Sequence, residues 1–307
     1  MNKYFPEGSY IATNENREYI SSIFGLERAL SQGKILEGMA LMCDSELNIT
    51  VDLYGIKGII PKNEVLLGED QKDIAIITRI GKPVCFKILS ISEDSNGKKI
   101  AILSRRAAQM ECMQNYIMTL ICGDIISARV THMERFGAFV DIGCGIVSLL
   151  SVDCISVSRI SHPSDRLSVG MSLKCIVKSI DYETKRVYVS QKELLGTWEE
   201  NASLFKVGQT VAGVIRSIEE YGVFIELAPN LTGLAEVKQG LEIGQSVAVY
   251  IKNIIPERMK VKLVVIDSSN RESSATQPEY FIKNETHLER WIYSPKCCGK
   301  VIETIFS

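Results

Sequence analysis

Two aromatic pairs are the residues in this chain best placed to do chemistry. Phe136 and Phe139 flank Gly137 and Ala138, and Tyr221 and Phe224 flank Gly222 and Val223. A ring left bare on a strand is a platform for an unpaired base, worth about 1–3 kcal/mol per stack and indifferent to base identity. Duplexes hide their base faces, so such a platform favours single strands. The spacing of three within each pair puts the two rings on opposite sides of a regular strand. A turn or bulge at Gly137 is therefore needed to bring both to one face. Arg129, Arg135 and Arg186 are the cations suited to neutralise phosphates between stacked bases. A lone Phe here would read as barrel core. Two copies in register, the first just ahead of the inward-alternating Val140 and Ile142, favour stacking instead.

The elements that must carry these rings come from an internal repeat. Residues 123–142 align without a gap on residues 208–227, and in both the aromatic falls 13 residues after the opening Gly. A second block repeats in the same register, residues 169–180 against 243–254. A weaker third copy starts at Gly33, with Val51, Asp52 and Leu53 matching Val140, Asp141 and Ile142. Within each copy apolar and polar residues alternate at period two, as in Ile126, Ala128 and Val130 against Ile125, Ser127 and Arg129. That pattern marks half-buried antiparallel strands. Five short strands in about 70 residues, with open edges a liability, predict a small closed barrel.

The expected fold class is mainly β: three tandem five-stranded antiparallel barrels joined by short α-helical connectors. The expected division is an N-terminal helical extension over 1–32, a degenerate barrel over 33–106 and a helical connector over 107–120. A second barrel follows over 121–192, a connector over 193–205 and a short third barrel over 206–267. A linker over 268–278 and an aromatic tail over 279–307 complete it, the tail able to fold back onto the third barrel. The first connector is expected as a helix over 105–120, with Ala107, Met110, Met113, Ile117 and Leu120 as its packing stripe. The second is expected as a helix over 193–205, with Leu194, Trp198, Ala202 and Phe205. A short helix is expected over 19–30.

Composition sets the bounds. The chain has 307 residues, 46% hydrophobic and 23% charged, with net charge −2. No apolar run approaches the ~18 residues of a membrane span, and residues 1–7 do not read as an export signal. Nine cysteines without CxxC spacing read as reduced, cytoplasmic core thiols rather than a disulfide framework. Residues 121–194 hold 9 Lys and Arg against 8 Asp and Glu, and residues 204–267 hold 7 against 7. Neither barrel is basic, so nucleic-acid affinity should be modest and led by stacking.

The second copy, with Gly123, Asp124, Ile125, Val130, the run 136–142, Asp181, Arg186, Val187, Val189 and Ser190, resembles the S1 domain family. The resemblance extends over about residues 33–266 as three tandem copies, strongest in the second. It implies OB barrels that bind single-stranded RNA, messenger RNA above all, on or near the small ribosomal subunit of a bacterial cytoplasm. The family's RNA-binding positions are two aromatics, a His, an Asp and an Arg. They fall on Phe136, Phe139, Ser151, Asp181 and Arg186, with the His replaced. In the third copy they fall on Tyr221, Phe224, Glu236, Ile255 and Lys260, which keeps the aromatics and the cation. In the first, Leu47, Thr50 and Pro61 take the aromatic and His positions. That barrel has no platform and reads as a structural or protein-docking module. The insertion 156–168 adds Arg159, His162 and Arg166, either an RNA-contacting rim or a solvated loop turning at 162–165.

A rival reading is a non-catalytic docking adaptor at the ribosome or the RNA-decay machinery, supported by the near-neutral charge and the replaced His. An enzyme is not expected, nor a metal or cofactor. There is no phosphate-cradling Gly-rich loop and no HExxH. Cys297 and Cys298, with His287 nearby, lack an orienting carboxylate for a thiol nucleophile.

Overall fold

The computed structural model describes residues 3–68, 72–94, 97–272 and 278–306. It forms two compact units, residues 1–120 with 141–147, and residues 121–140 with 148–307.

The first unit is built on strands β1 (Leu36–Cys43), β2 (Ile49–Leu53), β3 (Ile56–Ile60), β4 (Pro83–Glu93) and β5 (Lys99–Ser104). They close into a barrel in the order β1-β2-β3-β5-β4. β3 and β5 run parallel, with Gly58 opposite Ala101, and every other pair is antiparallel. The period-two pattern has the expected result: Ile49, Val51 and Leu53 point into the core with Leu36, Phe86 and Leu103, while Asp52 faces out. The predicted helix over 19–30 is two helices, α1 (Asn14–Ile20) and α2 (Ile23–Gln32). The break comes because Ser22 is an N-cap, its hydroxyl accepting the Gly25 N–H. A short helix α3 (Asp73–Ile77) precedes β4.

The first connector is a helix α4 (Arg105–Asn115) ending in a 3₁₀ turn Ile117–Thr119, shorter than expected. The buried face of α4 is Arg105, Ala108, Gln109 and Cys112; of the expected stripe Ile117 and Leu120 are buried beyond the helix, Ala107 and Met113 half-buried and Met110 exposed. The reason is an ion pair. Arg105, fully buried, donates from Nε and Nη2 to the two Glu7 carboxylate oxygens at 2.6 and 3.0 Å, and from Nη1 to Val65 O at 3.1 Å. Gly145 in the same unit has φ +74°, and a Cβ there would lie 1.8 Å from Arg105 Nη2, so only glycine fits. Asp141 accepts the N–H groups of Glu7, Gly143 and Gly145. Burial, with the Glu7 charge, pushes Asp141 up to about 7. Burial opposes ionisation of Glu7 too, but the Arg105 guanidinium outweighs it and holds that carboxyl below its usual range.

Glu37 on β1 pins the N-terminal segment. Its Oε2 accepts the N–H groups of Gly8, Tyr10 and Ile11 at 3.1, 3.1 and 2.8 Å, and its backbone pairs reciprocally with the buried Asn16 amide. Burial raises this carboxyl to about 7, the three N–H groups opposing the shift only in part. A carboxyl raised above its unfolded value stabilises fully below that value and loses the contribution as pH rises through about 7. Calorimetry of the full chain should therefore show the first-unit transition weakening from pH 5 to pH 8, by on the order of 2–3 kcal/mol from Glu37. Glu37→Gln, which keeps an acceptor oxygen but cannot ionise, should flatten that decline. An unchanged slope would refute the assignment.

The second unit carries two more barrels. One uses β6 (Ile125–Glu134), β7 (Gly137–Asp141), β8 (Val147–Ser151), β9 (Ser172–Asp181) and β10 (Arg186–Ser190), in the order β10-β8-β7-β6-β9. The other uses β11 (Thr210–Glu219), β12 (Gly222–Ala228), β13 (Leu231–Ala235), β14 (Gln245–Ile255) and β15 (Lys260–Glu272), in the order β11-β12-β13-β15-β14. A one-turn helix α5 (Val152–Ile155) follows β8. The second connector is not one helix. A 3₁₀ turn Lys192–Leu195 stops at Gly196, whose φ of +85° no helix continues, and α6 (Trp198–Ala202) restarts from a Thr197/Glu200 capping box. The expected linker begins late, since β15 runs on through Glu272; residues 273–277 lie outside the described residues. The tail folds back as expected. β16 (Arg290–Ile292) pairs with β17 (Glu303–Ile305), and Trp291, Tyr293 and Phe306 pack in the third barrel's core.

Candidate nucleic-acid interface

In the second barrel the odd spacing is resolved by a turn at Arg135 and Phe136 that puts Phe136 at the mouth of β7. Gly137 permits it: a Cβ there would sit 2.5 Å from Leu150 O, so a larger residue would push β7 off β8. The Phe136 carbonyl then accepts the Val152 N–H at 2.9 Å. The two rings meet edge to face, 5.9 Å between centroids at 89°. Phe136 is 55% exposed and Phe139 half-buried. Sequence reasoning missed a third ring. His132 on β6 lies nearly parallel to Phe139, 6.1 Å away at 16°, and its Nε2 is 2.8 Å from Glu134 Oε1. The signal was present, since His132 falls near Phe139 across the β6–β7 hairpin, where Thr131 Oγ1 donates to Phe139 O.

The other expected residues divide. Ser151 lies beside Gly137, its Cα 3.0 Å from the Gly137 Cβ position. Its hydroxyl bonds Asp153 and holds that carboxyl below its usual range. Arg135 is exposed in the turn next to Phe136, and Arg129 is half-buried on β6. Asp181 and Arg186 lie at the hairpin away from Ser151. Tyr188 on β10 pairs with Leu149 on β8, which puts Arg186 two residues to one side of that row and Ser151 two to the other. The separation is about 13 Å along the strands. Arg186 and Asp181 are cross-strand partners at the far hairpin. Asp181 spends its oxygens on that turn, accepting from the N–H groups of Glu183 and Thr184 and from Thr184 Oγ1 at 2.6 Å, and the Thr184 hydroxyl holds it below the usual range. It shapes the loop that presents Arg186.

The third barrel repeats the aromatic geometry. Tyr221 and Phe224 meet at 6.0 Å and 88°, and Tyr221 is 72% exposed. Phe224 pairs with Leu234, and Leu234 with Lys262, so an exposed lysine missed in the sequence shares the ring's row; the expected Lys260 is exposed two residues before it. Glu236 is exposed just past β13. In the first barrel Leu47 packs against the core, and Thr50 lies between Met42 and Ile59.

The insertion is part rim and part brace. Arg166 is not a rim residue: it grips Glu226 through two bonds of 2.7 and 2.6 Å, and Arg216 Nε bonds the same carboxylate at 2.6 Å. His162 caps the 3₁₀ turn Pro163–Asp165, the turn expected at 162–165. Arg159 remains exposed. His287 is tied to Asp124 at 2.9 Å, Cys297 is exposed and Cys298 half-buried. Among the described residues no group of three or more His, Cys, Asp or Glu could hold a metal, and no helix is long and apolar enough to cross a membrane.

Three barrels of one topology, two bearing the same ring pair, are consistent with tandem S1-type OB barrels, and residues 120–192 match the family model "S1 RNA binding domain". Over most of its length the chain is homologous to the bacterial small ribosomal subunit protein bS1. It is 27% identical over 299 residues to bS1 of Staphylococcus aureus (strain COL), covering 91% of this chain and 74% of that protein. It is 28% identical over 258 residues to the bS1 homolog of Bacillus subtilis (strain 168), covering 78% and 65%. Among solved structures, it is similar to a multidomain protein with nucleic acid binding domains from Streptococcus pneumoniae, at 15% identity and TM-score 0.25, covering 76% of this chain and 73% of that one.

Proposed function

We propose that this protein binds single-stranded RNA, messenger RNA in particular, in association with the small ribosomal subunit during translation. The observation that carries this reading is the edge-to-face pair of the exposed Phe136 and the half-buried Phe139, backed by His132 and repeated at Tyr221 and Phe224. The mechanism is binding without chemistry. A base stacks at the ring end of the second barrel while Arg186 meets a phosphate further along the strand. Two linked platforms raise effective concentration at each other. The first barrel, without a platform, serves as a structural or protein-docking module.

The likeness to bS1 supports the ribosomal setting. Full-length protein should bind a labelled 12-mer of oligo(U) and leave a duplex of equal length largely free. It should co-sediment with small subunits carrying messenger RNA and be released by ribonuclease. Retention after digestion, with no oligonucleotide binding, would favour the docking adaptor.

A further inference from the structure

We propose that the third barrel's ring pair is one wall of a composite clamp for single-stranded RNA, completed by residues of the insertion and the tail. A cleft of about 480 Å³ opens beside Tyr221 and Phe224. That lies within the roughly 300–1,000 Å³ of ligand sites. Arg159 of the insertion, Arg258 of the β14–β15 turn and Lys300 of the tail line it, three exposed cations from three separate segments. Among the described residues none of the three has an ion-pair partner. Arg216, also in the cleft, is paired with Glu226, which it shares with Arg166, and with Asp165 at 3.7 Å. With the one lining carboxylate, Glu219, the cleft carries two net positive charges beside a bare ring on a barrel that is neutral overall.

The clamp is held in place by one buried residue. Asn230, fully buried at the start of the β12–β13 hairpin's return, accepts the Val157 N–H at 2.9 Å through Oδ1. Its Nδ2 donates to Lys192 O and Gly196 O at 2.7 and 2.8 Å, and its carbonyl accepts the Tyr293 hydroxyl at 2.7 Å. Thr232 Oγ1 adds a bond to Ser158 Oγ at 2.7 Å. The insertion just before Arg159 and the tail strand leading to Lys300 are thus fixed to the barrel that bears Tyr221. Phosphates on either side of a base stacked on Tyr221 meet these cations.

This inference rests on the single-strand RNA reading, so its test separates the two. Full-length wild type, Arg159→Ala/Lys300→Ala and a control, Lys57→Ala/Lys98→Ala in the first unit, are titrated against labelled oligo(U) over a KCl series. Both clamp positions are exposed, so folding should be intact, as circular dichroism will verify. The clamp predicts a Kd raised about tenfold near 0.1 M salt and a log–log salt slope shallower by about 1.4, two phosphates at ~0.7 each. The control should match wild type. Wild-type binding with an unchanged clamp variant, or an equal loss in the control, overturns the clamp alone. No binding by wild type overturns the RNA reading with it.

Discussion

Phe136→Ala in the full chain should weaken binding to single-stranded oligo(U) by about 1–3 kcal/mol, roughly 5- to 150-fold. The ring is more than half exposed and its backbone bond to Val152 does not involve the side chain, so the loss falls on affinity and not on stability. Phe139→Ala should cost as much and also some stability, because it removes the half-buried ring against which both Phe136 and His132 rest. Tyr221→Ala probes the second platform. Combined with Phe136→Ala it should bring binding close to background, since a strand then loses the exposed ring of both barrels and keeps only what Phe139, His132 and Phe224 offer. Fluorescence anisotropy at fixed salt measures all of these. Unchanged Kd in both Phe136→Ala and Tyr221→Ala, with unaltered melting, would falsify the stacking interface.

Arg105→Ala should destabilise the first unit by about 3–5 kcal/mol, because it leaves the buried Glu7 carboxylate with only the more distant Arg79 guanidinium at 3.6 Å and the Cys85 N–H. The same change leaves Val65 O without its donor. The first-unit calorimetric transition should fall sharply or vanish while the second-unit transition holds. Replacing both partners by neutral residues of similar shape, Glu7→Gln with Arg105→Met, should recover part of the loss, since it removes the unpaired carboxylate while Arg79 gives up its partner. A first-unit transition unmoved in Arg105→Ala would show that the pair is not formed in solution.

The barrels were legible because period-two alternation is a local property. Ile49, Val51 and Leu53 declare a buried face wherever the strand ends up, and the repeat spacing then fixes five strands to a unit. The helical connectors were less legible because their packing faces were chosen by polar partners. Arg105 and Gln109 lie buried on α4 where the apolar pattern placed Met110 and Met113, and Gly196 divides a segment whose periodicity runs straight through it. Within the interface, the ring pairs could be read from the repeat. The third ring at His132 and the row from Phe224 to Lys262 depend on strand register.

By itself, then, the order of residues determined the three barrels and the two ring pairs. These follow from which side chains alternate and which repeat, interactions between near neighbours along the chain. Only the tertiary structure decided that Asp181 builds a turn, that Arg166 is spent on Glu226, and that Arg159, Arg258 and Lys300 converge beside Tyr221. The charge of a side chain is written in the sequence, but whether it meets a counter-ion or solvent depends on segments up to 141 residues apart (300 − 159) being folded against one another.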